Sequence, residues 1–242
     1  MPSDKENDSC ASLPSQDPLP RECRKMSGRC IAGKIYDGDL CGEWIRPVSK
    51  RPHQEISEDD RRFEDGTRAQ LLDVIEIPFL EHKPATYQQE NHLIDDSSYW
   101  LRRDRGTWND LVSAVDDDVT ELWTNGKSSY SGVNDRIALE AADELDSSLA
   151  LIKPEELAIR VSTEGAEFGN NKRKVRARFK LKGHHYALAV TDPFIENSLL
   201  RMPNGDHYVE EAFICVSLGE PYEGYVYKLV ASIITPKRAQ LS

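Results

Sequence analysis

The sequence lacks the features that mark membrane and secreted proteins. No apolar run approaches the roughly 18 to 20 residues that a membrane-spanning helix needs. The polar, proline-rich residues 1–20 have neither the basic start nor the apolar centre of a signal peptide. These absences predict a cytoplasmic protein with no membrane partner.

The cysteines do not form a motif that would indicate a disulfide framework or a metal site. Their number is odd, no CxxC pair occurs, and their spacings match no familiar zinc site. The five residues are Cys10, Cys23, Cys30, Cys41 and Cys215. We therefore predict no bound metal and interpret these side chains as buried or free thiols.

Motifs of the common enzyme classes are also missing. There is no GxSxG and no HExxH, and the small-residue loop from Gly126 to Gly132 lacks the GxxxxGK[ST] spacing of a phosphate loop. The consecutive acids Asp116, Asp117 and Asp118 point in different directions on a helix, so they favour a solvated helix end or loop. The sequence predicts a non-enzymatic protein without a cofactor, and an enzyme is the weaker alternative.

The composition is that of a folded protein with one large or two small domains. The chain has 242 residues, of which 38% are hydrophobic and 30% charged. Residues 1–27 hold several prolines among polar residues and predict a disordered tail. We expect a first domain over residues 28–153, a second over 154–236 and a short tail over 237–242.

The second domain has the clearest strand pattern. Alternating apolar residues and turn signals predict strands at Leu157–Thr163, Arg173–Leu181, His184–Thr191, Phe213–Leu218 and Tyr225–Ile234. A short helix that begins at Pro193, with Asp192 as its cap, lies between the third and fourth strands. Five strands in this order, with the helix at that place, indicate an OB-type barrel.

The first domain has strands at similar intervals, followed by a helical insertion. Strands are predicted near Arg29–Tyr36, Glu43–Val48 and Leu71–Leu80. Helices are predicted over Trp108–Val115, with Thr107 and Asp110 as a capping box, and over Arg136–Leu145. The predicted fold is therefore mainly β with α insertions: two five-stranded OB-type barrels, the first with a helical insertion.

The most pronounced charge feature is the basic strand Lys172–Lys182, which carries a net charge of +7 in a chain of net charge −11. Strand alternation places its cations on one face: Lys174, Arg176, Arg178, Lys180 and Lys182. OB-folds bind oligonucleotides over strands two and three, and this is strand two. A row of cations there would follow a phosphate backbone.

Two other interpretations of the basic strand stay open. Its cations could protect an exposed strand edge. Alternatively, they could pair with the acidic region 107–164, which has thirteen acidic residues against four basic ones.

A second candidate contact surface contains Trp44 and Arg46. A tryptophan followed two residues later by an arginine offers a stacking face together with an anion-binding fork. The structural alternative is a barrel strand with Trp44 buried and Arg46 paired to an acid. The polar group Tyr87–His92 suits hydrogen bonding to a base edge and equally suits a satisfied loop.

Several stretches of this sequence resemble a known family, the dual OB-containing domain proteins of prokaryotes. These stretches are Gly28–Lys34, Trp44–Val48, Tyr87–Asn91, Gly165–Asn170 and Cys215–Pro221. The resemblance implies two OB-folds and a nucleic-acid or nucleotide-related binding role, with no catalytic residues to transfer. Relatives begin with a short apolar strand before the Gly-Arg-Cys stretch, and here Cys10–Leu13 is the nearest substitute.

We therefore expect a binding module for single-stranded nucleic acid or a nucleotide. Lys174, Arg176, Arg178 and Lys180 are the predicted phosphate contacts, with Trp44 and Arg46 on a second surface. The alternative is a protein-interaction adaptor whose acidic region meets a basic partner.

Overall fold

The computed structural model describes residues 11–12, 28–165 and 172–241, and over these residues the protein is mainly β with a few short helices. The rest of the predicted tail 1–27 and most of the Gly165–Asn170 stretch lie outside the described residues. None of the helices in the described part is long and apolar enough to cross a membrane.

The first half of the chain forms one large sheet and one small strand pair. Its strands are β1 (Ala11–Ser12), β2 (Gly28–Arg29), β3 (Gly33–Ile35), β4 (Trp44–Val48), β5 (Ile56–Ser57), β6 (Asp73–Glu76), β7 (Phe79–His82), β8 (Asn91–Ile94) and β9 (Leu101–Arg105). The sheet has the order β7-β8-β4-β3-β1-β6-β9, whereas β2 pairs with β5. The pairing of β4 with β8 is parallel. The strands β1, β3, β4, β8 and β7 therefore follow the first-second-third-fifth-fourth order of an OB-fold.

The strand β1 lies within Cys10–Leu13. This is the stretch that most nearly replaces the short apolar strand with which relatives begin. Ala11 and Ser12 pair antiparallel with Ile35 and Lys34, and Ala11 also pairs with Ile75. Two residues of the predicted tail therefore belong to the sheet.

The remaining elements form the insertion and the second sheet. They are α1 (Trp108–Ser113), β10 (Arg136–Ala138), α2 (Leu139–Ala142), β11 (Leu149–Ile152), β12 (Glu156–Glu164), β13 (Lys172–Leu181), β14 (His184–Val190), α3 (Pro193–Leu199), β15 (Gly205–Tyr208), β16 (Phe213–Tyr222), β17 (Tyr225–Ile234) and α4 (Pro236–Leu241). The sheet has the order β11-β16-β17-β14-β13-β12-β15. Its five long strands repeat the OB order, and β14 and β17 are its parallel pair. The predicted fold class is confirmed, and within the described residues the ladders of both sheets stay open.

The insertion contributes strands to the second sheet. The sequence assigned residues 107–152 to the first domain, but β10 pairs with β17 and β11 pairs with β16. The capping box of Thr107 and Asp110 at α1 is confirmed. The helix predicted over Arg136–Leu145 is wrong at its start, because residues 136–138 pair with β17, and a tertiary partner overrides local helix propensity.

The C-terminal residues, predicted as a tail, form α4 on the second sheet. The buried Arg238 guanidinium donates hydrogen bonds to the Asp192 carboxylate and to the Ile233 carbonyl oxygen. Asp192 also accepts a hydrogen bond from the Phe194 backbone N–H at the start of α3. The Asp192–Arg238 contact therefore connects the start of α3 to α4 and to the end of β17.

A buried lysine in the second sheet contacts the insertion. Lys228 on β17 donates hydrogen bonds from Nζ to the Thr124 carbonyl oxygen at 2.8 Å and to Asn125 Oδ1 at 3.3 Å. Its ammonium also lies over the Tyr186 ring. Burial lowers the pKa of Lys228 from 10.5 to about 8, although Glu121 and Asp135 oppose that shift.

This lowered pKa predicts a pH-dependent stability. Between pH 8 and 10.5 the unfolded chain holds a proton at Lys228 that the folded chain has lost. The free energy of unfolding of the wild type should therefore rise with pH in that range, relative to Lys228→Met, by at most about 1.4 kcal/mol per pH unit. Urea unfolding of both proteins at several pH values measures this slope. Parallel pH profiles of the two proteins would contradict the assignment.

Candidate functional site

Four of the five cations predicted to share one face lie on outward positions of the basic strand β13, whereas the fifth, Lys182, lies in the turn after the strand. Val175, Ala177, Phe179 and Leu181 are buried in the core of the second sheet. The outward positions between them carry Lys174, Arg176, Arg178 and Lys180. The alternation follows from the period of two in a strand, which separates apolar from charged side chains.

The four outward cations differ in how open they are to solvent. Lys174 is exposed, and the Arg178 side chain is 51% exposed. The Lys180 side chain is partly covered and lies 3.6 Å from Glu155 Oε2. The structure therefore brings these residues into one row on the sheet but leaves only part of that row open to a ligand.

Arg176 is the most covered member of the row. Its side chain is 14% exposed, and Nε and Nη2 donate to the two carboxylate oxygens of Glu164 at 2.7 and 2.9 Å. Its Nη1 also lies 3.8 Å from Asp135 of the insertion. This geometry matches the internal pairing with the acidic region that the sequence left open as an alternative.

A groove of about 560 Å³ lies on the outer face of β12, β13, β14 and β15. One row of residues across these strands is Tyr208, Ala158, Arg178 and Ala187. Val133 of the insertion forms a bridge to Ala187 and lines the groove from the other side. The two small alanines on either side of Arg178 leave room for a ligand beside its guanidinium.

The groove carries an exposed aromatic side chain that sequence reasoning missed. Tyr208 is 86% exposed and lies two strands from Arg178, a separation of roughly 10 Å between backbones. The residues Pro203–Asp206 are typical of a turn, and Gly205–Tyr208 has neither the apolar alternation nor the β-branched residues that would predict a strand. The only sequence signal for this site was the tyrosine itself.

The sequence offers His184, His185 and Tyr186 next to the basic strand as candidates for base stacking, and its alternation predicts that Tyr186 faces the core. His185 is exposed and lines the groove. Tyr186 faces the core, as expected, and its hydroxyl accepts hydrogen bonds from the Leu122 N–H and from Asn125 Nδ2. Burial raises the pKa of Tyr186. His185 and Tyr186 both line the groove, but His185 is exposed whereas Tyr186 is buried.

Trp44 lies far from the groove, at the junction between the first sheet and β11. Its indole Nε1 donates to Asp116 Oδ2 at 3.1 Å. The same carboxylate accepts hydrogen bonds from the Leu151 backbone N–H at 2.7 Å and from Lys34. Asp116, which the sequence favoured as a solvated acid, is therefore a shared acceptor for both halves of the chain.

Arg46 is 7% exposed and belongs to the same junction. Its Nη2 donates to Glu90 Oε1 at 3.0 Å and to the Ser148 hydroxyl at 2.7 Å. The Ser148 hydroxyl in turn donates to Glu90. Arg46 thus adopts the structural alternative, a pairing with an acid, and the structure does not bring it together with the β13 cations.

Three of the five stretches that resemble a family meet at this junction. Tyr87 is buried, and its hydroxyl donates to the Gly219 carbonyl oxygen at 2.6 Å, which joins the first half to β16. Burial raises the pKa of Tyr87 to about 12. The neighbouring Glu90 holds Arg46. The Trp44–Val48, Tyr87–Asn91 and Cys215–Pro221 stretches are therefore connected in space, where they hold the two sheets together.

The described cysteines are free thiols. Cys30 and Cys41 are exposed and Cys215 is buried. Burial raises the pKa of the Cys215 thiol to about 12, so the thiol stays protonated at neutral pH.

Removing one partner of the buried Arg46–Glu90 pair should destabilise the fold strongly. Arg46→Met leaves the buried Glu90 carboxylate without its cation, which costs about 3 kcal/mol or more in buried pairs. The double variant Arg46→Met, Glu90→Leu should recover part of that loss, because it leaves no unpaired charge. Urea unfolding of the two single variants and the double variant measures the coupling.

A matched control is Arg103→Met, which breaks the exposed pair of Arg103 with Glu76. This change should alter the free energy of unfolding by less than about 1 kcal/mol. Equal losses for Arg46→Met and Arg103→Met would show that burial does not distinguish the two pairs.

Comparisons with known proteins agree with the two-sheet architecture. A family model described as the dual OB-containing domain matches residues 22–233, which include nearly all of both sheets. Comparisons with curated proteins and with solved structures gave no match. Because the family model covers most of the sequence, this chain belongs to the dual OB-containing domain family.

Proposed function

We propose that the protein is a non-enzymatic module that binds single-stranded nucleic acid or a nucleotide-type ligand in the groove of its second OB sheet. The observation that carries this proposal is the groove itself. It combines a half-exposed arginine and a histidine on the second and third barrel strands, β13 and β14, with an exposed tyrosine on the adjoining edge strand β15. OB-folds bind oligonucleotides over this part of the barrel.

The side chains of the groove suit the two parts of a nucleotide. Tyr208 offers an aromatic face on which a base can stack without sequence preference. Arg178 has the planar fork that matches phosphate oxygens. Lys174 and Lys180 extend the positive row along β13. The tyrosine and the basic row lie on the same face, so one extended ligand can contact both.

The charge balance predicts modest affinity. The whole chain has a net charge of −11, and Glu164 and Glu155 neutralise part of the basic row. A polyanion therefore meets few uncompensated cations, so its affinity should be modest and its salt slope should correspond to only a few contacted phosphates.

The alternative function is a protein-interaction adaptor. The observation that favours it is the pairing of Arg176 with Glu164 and Asp135 of the acidic region. These ion pairs leave the Arg176 guanidinium little able to contact a phosphate. The openness of Lys174 and Arg178 favours the nucleic-acid proposal instead. If labelled nucleic acids do not bind in a fluorescence anisotropy experiment, the adaptor function is the next to test.

Fluorescence anisotropy with labelled single-stranded DNA, single-stranded RNA and duplex, each over a salt series, tests the proposal. Single strands should bind, with log affinity falling by roughly 0.7 per contacted phosphate for each unit of log salt. Tyr208→Ala should weaken binding by about fivefold or more, since stacking of one base is worth roughly 1–3 kcal/mol. Arg178→Glu should weaken binding further at low salt and reduce the salt slope.

Two control variants match these changes in residue type and exposure. Arg103→Glu reverses a half-exposed, paired arginine of the first sheet, and Tyr222→Ala removes an exposed tyrosine of β16 outside the groove. Both should bind like the wild type. Equal losses for a control and its groove variant would remove the groove as the site, and no binding by folded wild type at low salt would overturn the proposal.

A further inference from the structure

We propose that Arg160 and Arg178 form a binding site for a phosphate group, and that Asp206 is a resident anion with which the phosphate competes. The inference rests on the proposed function, because it names the charged subsite of the same groove and a residue that restrains its affinity. Arg160 was not among the contacts predicted from the sequence.

Two guanidinium groups from neighbouring strands converge on one carboxylate. Arg160 Nη1 lies 3.2 Å from Asp206 Oδ2 and 3.4 Å from Oδ1. Arg178 Nη1 lies 3.3 Å from the same Oδ2 atom. The Arg160 and Asp206 side chains are 47% and 27% exposed, so the cluster is open to solvent. Two arginine side chains thus contact one carboxylate that belongs to the chain itself, Asp206.

The resident carboxylate is held loosely. Each arginine uses a single nitrogen, and all three distances exceed the roughly 2.7–2.9 Å of a strong charge-assisted hydrogen bond. The neighbouring Arg176 makes a two-nitrogen contact with Glu164 at 2.7 and 2.9 Å. A phosphate group, which offers more acceptor oxygens than a carboxylate, can therefore replace Asp206 more readily than it can replace Glu164.

The strand register places three arginines close together. Arg160 lies directly opposite Arg176, and Arg178 follows Arg176 by two residues on the same face. Like charges in facing positions of a sheet repel each other. An anion beside Arg160 and Arg178 reduces this repulsion, and Asp206 supplies it in the free protein.

The position of Asp206 relates this subsite to the exposed tyrosine. Asp206 and Tyr208 both lie on β15 and both line the groove. Residues two apart in a strand are roughly 7 Å apart on one face. A phosphate that takes the place of Asp206 would thus hold the attached nucleoside within reach of the Tyr208 ring.

The test compares Asp206→Asn with the wild type. The substitution keeps the shape of the side chain and removes the competing charge. The affinity for a labelled single-stranded oligonucleotide at low salt should rise by about three- to fivefold, the range that an exposed charge pair allows. The additional change Arg160→Gln should cancel this gain. Thermal unfolding of each variant verifies that it is folded.

The matched control is Glu211→Gln. Glu211 forms an exposed pair with Lys153 outside the groove, so its substitution changes the net charge equally. It should alter affinity by no more than about twofold, because distant surface charges are screened. A gain in Glu211→Gln equal to that in Asp206→Asn would reduce the effect to net charge and overturn the inference.

A second measurement separates this inference from the proposed function. Inorganic pyrophosphate is titrated while the arginine Nε–H signals of Arg160 and Arg178 are followed by NMR. These signals should shift at lower pyrophosphate concentration in Asp206→Asn than in the wild type. If no protein binds the oligonucleotide but this difference is seen, the phosphate subsite stands and the proposed function fails. If the oligonucleotide binds but Asp206→Asn brings no gain in either measurement, the subsite fails and the proposed function stands.

Discussion

The architecture depends on polar groups buried between the two sheets. Arg46 and Glu90 belong to the first sheet and its loops, while their third partner, Ser148, directly precedes β11 of the second sheet. Asp116 makes a similar connection between Trp44 and Leu151. Such groups lose hydration when they are buried, so they must find partners in one defined arrangement. Apolar contacts tolerate small shifts, whereas these hydrogen bonds fix the position of each sheet relative to the other.

Apolar side chains at the junction also pack together and bury surface between the two halves. Leu71 and Leu111 from the first half pack in one cluster with Phe213 and Ile234 of the second sheet. The Trp108 and Phe213 rings lie 4.7 Å apart. The insertion supplies both the helix that carries Trp108 and the strands β10 and β11, so it acts as the element through which the two OB sheets share a core.

The sequence predicted those features that depend on local pattern. The alternation along β13 was predictable because charged and apolar residues separate with a period of two. The cap at Thr107 was predictable because its hydrogen bonds join residues three apart. Both features need no knowledge of distant parts of the chain.

Features that depend on distant partners were not predictable in this way. Arg46 and Glu90 are separated by 44 positions, and no pattern in either stretch indicates their pairing. The strand β15 exists because β12 offers it hydrogen-bond partners, while its own residues are typical of a turn. Sequence reasoning therefore identified the basic row of the groove but missed Tyr208 and Asp206.

The strand β11 has a consequence for how this protein can be divided. A fragment that began at residue 154, the predicted domain boundary, would lack β11 and leave one side of β16 without its hydrogen-bond partners. An unpaired edge of this kind attracts other strands and promotes aggregation. The first half alone would keep Arg46 and Glu90 but would expose to water the residues that now pack against Phe213. A cut at residue 154 would therefore disturb both halves, and a fragment that keeps the second OB sheet whole must begin before β10 and β11.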